Sequence, residues 1–183
     1  MLKYFKIFIL TLSLSFFVAC GGTSTDTNDL GAFHNNEFSI DFDDSWKVVR
    51  DFQVLQDERI VRGNIVFTLL HKNQDIYSAL TISKSEYNPQ KDILEFADEI
   101  KNNLENSIHA ENLKSSRITI DSIKTTSFTF NIDKQSYYIS LFPKDSILYY
   151  FVGSTTDKEG TEINSIEASI ESFYLLEATP ASE

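Results

Sequence analysis

The runs "QSYYISLF" and "ILYYFV", joined through "FPKDS" between Gln135 and Val152, limit the possible folds most. Their aromatic and β-branched content reads as strand, and the short proline-containing connection predicts a hairpin. A strand with one wet face alternates apolar and polar residues. "ILYYFV" does not alternate: both of its faces are apolar, which predicts a central strand covered on both sides.

Two segments can supply that cover. In "NPQKDILEFADEIKNNLENSIHA" the residues Ile93, Ala97, Ile100, Leu104 and Ile108 recur at steps of three and four, so they share one helix face. Asn88 before Pro89 reads as its start, an asparagine cap with proline in the first turn. Near the end of the chain, Thr156 and Glu159 resemble a capping box that leads a second amphipathic helix. Ile163, Ile166, Ile170 and Phe173 line its apolar side.

The rest is strand-like. "EFSIDF" alternates Phe38, Ile40 and Phe42 with Ser39 and Asp41, "DDS" turns the chain, and "WKVVRDF" starts a second strand. "NIVFTLLH" and "IYSALTISKSEY" predict a hairpin across "KNQD", and "RITIDSI" and "TTSFTFNI" add two more runs. Strands, helix, strands, helix is an α+β layout: an antiparallel β-sheet flanked by two amphipathic helices. No internal repeat is present.

The amino terminus has a different chemistry. Lys3 and Lys6 precede an apolar run, Ile7 to Phe17, followed by "VACGG" with the only cysteine of the chain, Cys20. As a helix the run is about 16 Å long, short of a bilayer but suited to the core of a secretory signal. A transmembrane anchor and an ordinary signal peptide with an incidental cysteine are the alternatives. "GGTSTDTNDLG" has almost no apolar content and reads as a tether, and "EATPASE" reads as a frayed tail. The predicted organisation is therefore 1–19 signal, 20–35 tether, 36–176 one folded domain and 177–183 disordered tail.

Charge narrows the partners. The chain carries net charge −11, and its first nineteen residues hold two lysines and no acid, so the remaining 164 residues carry −13. Such a surface disfavours nucleic acid and anionic headgroups, which need clustered Lys and Arg. It suits a basic protein, a cation or plain solubility. If Cys20 is used at the membrane, no disulfide can form within the mature chain, and the fold must rest on a core supplied by 15 Phe and 8 Tyr.

Enzyme chemistry finds no pattern here. His34, His71 and His109 are far apart, no pair has the spacing of a helical metal site, and there is no GxSxG, phosphate loop or CxxC. Glu95, Asp98 and Glu99 can share a helix face and offer a weak cation site, but the solvated side of an amphipathic helix explains them too. Trp46 reads as a core anchor rather than a ligand platform. Catalytic, cofactor and metal residues are all predicted to be none.

"FFVACGG" resembles the lipobox of a bacterial lipoprotein signal, with Phe17 and Val18 where the family favours leucine and a smaller residue. That resemblance implies cleavage between Ala19 and Cys20, a diacylglyceryl group on the Cys20 thiol, and often acylation of the new amino terminus. Two or three chains at about 0.8 kcal/mol per buried methylene make a stable anchor. Gly21, in place of a retaining aspartate, implies the outer membrane if the host has one.

The element order resembles the PsbP-like family, or Mog-type fold. "FSIDFDDSWKV" is similar to its opening strand, turn and Trp-containing second strand, although Asp43 and Asp44 stand where the family often has proline. "QSYYISLFPKDSILYYFVGSTT" is similar to its late hairpin. "EINSIEASIESFYLL" is similar to its closing helix with a Ser-Phe pair, here Ser172 and Phe173. The resemblance implies an α/β/α sandwich, usually without enzymatic activity, in proteins that assist larger assemblies. The expectation is a lipid-anchored, non-enzymatic accessory or protein-binding module facing the periplasm or cell surface. The alternative is a small-ligand or metal-binding envelope lipoprotein.

Overall fold

The computed structural model describes residues 27–29, 31–49, 57, 59–73 and 75–176. The predicted signal, Cys20 and the predicted tail lie outside the described residues. In chain order the elements are β1 (Thr27–Asp29), β2 (Ala32–His34), β3 (Phe38–Asp41), β4 (Lys47–Val48), β5 (Asn64–Asn73) and β6 (Ile76–Glu86). There follow α1 (Ile93–Asn106), β7 (Glu111–Ile120), β8 (Ile123–Ile132), β9 (Gln135–Lys144), β10 (Ile147–Thr155), α2 (Thr161–Glu171) and β11 (Tyr174–Leu175).

All strand pairs are antiparallel. The large sheet runs β4-β5-β6-β10-β9-β8-β7, which puts β10 fourth of seven, at the centre. Its side chains alternate between two cores. Leu148, Tyr150 and Val152 join the cluster under α1, while Tyr149 and Phe151 join the cluster on the other face. That explains why both faces of "ILYYFV" are apolar.

On the first face, α1 buries Ala97, Ile100 and Leu104 against Phe128, Phe130, Ile139 and Leu141. On the second, α2 shares the layer with a small sheet, β1-β2-β3-β11. Ile166 and Ile170 of α2 meet Phe38 and Ile40 of β3 over Leu80, Ile82 and Phe151. Phe173, just past α2, is the hub: its ring centroid lies 5.0 Å from Phe151, 5.2 Å from Phe38, 5.5 Å from Tyr149 and 5.6 Å from Phe142. Gly153 makes the helix approach possible, because a Cβ there would fall 2.3 Å from Ile166 Cγ2.

Three local expectations differ from the structure. β1 and β2 lie within the stretch whose composition predicts a tether, and Phe33 of β2 is buried in the second core. A three-residue strand shows no period, so its pairing with β3 could not be read from the residues alone. α1 starts at Ile93, capped by Asp92, whose carboxylate accepts the Leu94 N–H at 2.9 Å. Asn88 is used in an earlier turn instead, accepting Gln90 N–H at 3.0 Å with its side chain and Lys91 N–H with its carbonyl.

α2 is capped differently too. Thr156 extends the β6–β10 ladder, accepting Tyr77 N–H at 2.9 Å and donating its own N–H to Tyr77 O at 3.0 Å. The cap work falls to Asp157, whose carboxylate accepts the N–H groups of Glu159 at 2.9 Å and Glu162 at 3.1 Å. Those hydrogen bonds hold its carboxyl below the ordinary value of 3.8. A depressed carboxyl contributes stability that is complete above its unfolded pKa and is lost as pH falls through the folded one. Asp157→Ala is expected to cost about 0.5–2 kcal/mol at neutral pH, the usual worth of a cap. The difference from wild type should shrink below about pH 4; a difference in urea midpoint that does not change down to about pH 3 would contradict it.

Candidate functional site

Among the described residues, two grooves and a few hydrogen-bonded polar clusters are candidate places for chemistry. The first groove, with a cavity of about 560 Å³, opens where the β7–β8 turn, the β9–β10 turn and β11 converge. Asp121 and Lys144 line it together with Ile147, Leu175 and Leu176. Asp121 accepts the Leu175 N–H at 3.4 Å, which ties β11 to the turn.

Tyr149, at the back of this groove, belongs to a cluster that joins the two sheets. Glu37 sits in the β2–β3 turn, shaped by Asn35, whose Oδ1 accepts the N–H groups of Glu37 and Phe38 at 2.8 Å. Lys84 Nζ donates to both Glu37 carboxylate oxygens at 2.8 Å, and the Tyr149 hydroxyl donates to Oε1 at 2.6 Å. Burial pushes the Glu37 carboxyl up, but the bonds from Lys84 and Tyr149 and the Lys84 charge outweigh it and hold it below its ordinary value. Burial and the neighbouring carboxylate push the Tyr149 phenol up. Glu37 is therefore an ionised acceptor with both oxygens engaged, a clasp rather than a general base.

The second groove, about 410 Å³, lies between α1 and the edge of the large sheet. Leu94, Asp98 and Lys101 come from the helix, Ser115 and Arg117 from β7, and Phe128 forms the floor. β7 ends the strand order, and its residues Lys114 to Arg117 are exposed. Among the described residues, the ion pairs are Arg59–Asp57, His71–Glu162, Lys84–Glu37 and Lys91–Glu99, so Lys101 and Arg117 are left without a carboxylate partner. On a chain of net charge −11, Lys101 and Arg117 outnumber the one acid of this groove, Asp98, beside an open strand edge.

The three histidines are separate. His34 Nδ1 is hydrogen-bonded to Ser39 Oγ, a contact that nucleophilic chemistry would require. Ser39 is fully buried, however, and among the described residues no carboxylate is bonded to His34. His71 pairs with Glu162 at 3.0 Å and lies 5.5 Å from the Trp46 ring, linking β5, β4 and α2 in the core. Trp46 is buried in that core; Asp43 supplies its turn, accepting Ser45 N–H at 2.9 Å and, through its carbonyl, Trp46 N–H at 2.9 Å. His109 is exposed after α1 with φ 58. Glu95, Asp98 and Glu99 are exposed on α1, where Glu99 binds Lys91 at 2.6 Å. Among the described residues, no group of three or more His, Cys, Asp or Glu is placed to hold a metal ion. No described helix is long and apolar enough to cross a membrane.

Sequence reasoning missed the Glu37–Lys84–Tyr149 clasp and the Lys101–Arg117 pair. Each joins residues remote in the chain, and nothing in the local pattern signals them.

No family model and no curated protein matches the chain. Solved structures do. Cyanobacterial PsbP (CyanoP) from Synechocystis sp. PCC 6803 superposes with TM-score 0.56 at 13% identity, over 87% of this chain and 99% of that one. The fold is PsbP-like. LpqN of Mycobacterium tuberculosis, described as involved in cell envelope biogenesis, matches with TM-score 0.50 at 8% identity, over 75% of this chain and 82% of its own. At such identities the PsbP-like likeness establishes architecture and leaves the activity to the residues themselves.

Proposed function

We propose that this chain is a lipid-anchored, non-enzymatic accessory module of the cell envelope that binds an extended, acidic segment of a partner protein. Cys20 in its lipobox-like setting supports the anchor. The observation that carries the binding role is the β7 edge. Among the described residues it offers the unpaired backbone of an edge strand, a floor of Phe128 beside exposed Leu94, and the cations Lys101 and Arg117, which have no ion-pair partner. Strand addition would draw affinity from main-chain hydrogen bonds and specificity from these side chains.

Cys20→Ser should move the protein from the membrane fraction to the soluble fraction, and mass spectrometry of the mature amino terminus should find acyl chains on Cys20 in the wild type. A wild-type chain retaining residues 1–19 would end the anchoring reading. For binding, an acidic extended peptide should bind the full-length protein by fluorescence polarisation, weaken as salt rises, and bind Lys101→Glu/Arg117→Glu at least about tenfold more weakly. Equal binding of a basic peptide of the same length would refute the assignment.

A further inference from the structure

The strand register fixes where the upstream chain joins the domain. Thr27 pairs with His34, His34 with Ser39, and Ser39 with Tyr174, so these four residues form one row across the small sheet. Just beyond that row lie the β2–β3 turn and Leu176, whose N–H donates to Glu37 O at 2.8 Å. The Glu37–Lys84–Tyr149 clasp ties this end to the end of the large sheet where Lys144 pairs with Ile147. The chain that carries Cys20 therefore enters at the same end as the first groove.

That end is also where apolar surface is exposed. Among the described residues the large hydrophobic side chains left exposed are Leu94, Ile147, Tyr174 and Leu176. Three of the four are here, with Ile147 and Leu176 both lining the groove. The flanking charges nearly balance: Asp121, Asp145 and Glu86, which pairs with Ile147 in the ladder, against Lys124 and Lys144. A nearly neutral, apolar-rimmed end on a chain of net charge −11 carries little of the charge that a bilayer would repel.

We propose that this end is the lipid-facing surface of the domain, with Ile147, Tyr174 and Leu176 seated at the headgroup–acyl boundary of the membrane that holds Cys20. The inference rests on the anchoring reading above. Seven residue steps separate Cys20 from Thr27, and extended chain covers at most about 25 Å in seven steps. The tether thus keeps these side chains close to the lipid, where contacts too weak to bind a free protein are sustained by high effective concentration. Tyr174 suits such a boundary, with an apolar ring and a polar tip.

The test uses the full-length protein purified from host membranes and reconstituted in phosphatidylethanolamine–phosphatidylglycerol vesicles containing bromine-labelled phosphatidylcholine. Tryptophan is introduced as Ile147→Trp or Leu176→Trp, with Glu111→Trp at the far end of β7 as control; buried Trp46 gives the same background in each. Quenching at positions 147 and 176 should exceed that at position 111 by about threefold or more, as expected for side chains seated several ångströms into the interface. Equal quenching at all three positions would overturn the proposal. So would positions 147 and 176 unquenched in vesicles but shielded in native membranes, since that would assign the surface to a protein. The mass of the Cys20 peptide is read from the same preparation. An unacylated chain ends the anchoring reading and this one together, whereas an acylated chain with unquenched probes ends this one alone.

Discussion

Phe173→Ala is expected to destabilise the domain by about 3–5 kcal/mol, the range for deleting a large core aromatic. The ring is 1% exposed and touches Phe38, Phe142, Tyr149 and Phe151, so truncation opens a void among rigid neighbours that cannot collapse into it. It also loosens three elements of the second core at once: β3, the large sheet and the end of α2. Phe173→Leu should recover most of the loss, because it restores volume but not the edge-to-face contacts with Phe142 and Phe151. Urea unfolding followed by emission from the single tryptophan, Trp46, measures both variants. A loss below about 1 kcal/mol for the alanine variant would show that the hub relaxes, against the close packing described.

Gly63→Ala is the second large effect. Gly63 precedes β5 with φ +78, a left-handed conformation, and a Cβ there would stand 2.4 Å from the Lys84 carbonyl oxygen. Strain of order 1–3 kcal/mol and overpacking of a similar size add to about 2–6 kcal/mol. The neighbour is backbone of β6, so it cannot swing aside as a side chain would. Gly160→Ala separates the two causes: φ is +80 there as well, but nothing lies within 4 Å. Gly160→Ala should cost only about 1–2 kcal/mol. Equal losses at the two positions would mean that the contact with β6 contributes nothing.

What was legible in the residues was what repeats along the chain. The two-sided apolar run of β10 announced a central strand, and the three-and-four spacing of Ala97, Ile100 and Leu104 announced the face that α1 buries. Caps were less legible because several residues compete for each role. Asn88 and Asp92 both suit an N-cap, and Thr156 could cap α2 only if Tyr77 did not engage it first. The candidate sites were not legible at all. Lys101 and Arg117 line one groove only because α1 folds back over the sheet edge, and Glu37 meets Tyr149 only because the small sheet closes on the large one.

The β3–β11 pairing has a consequence for timing. Asp41 N–H donates to Ser172 Oγ across 131 positions of sequence, and the Phe38 ring packs tilted against Phe173. A chain made amino terminus first presents β3 long before its mate. The second core could not close until residue 175 had been made, whereas the cluster under α1, complete by Val152, could form before it.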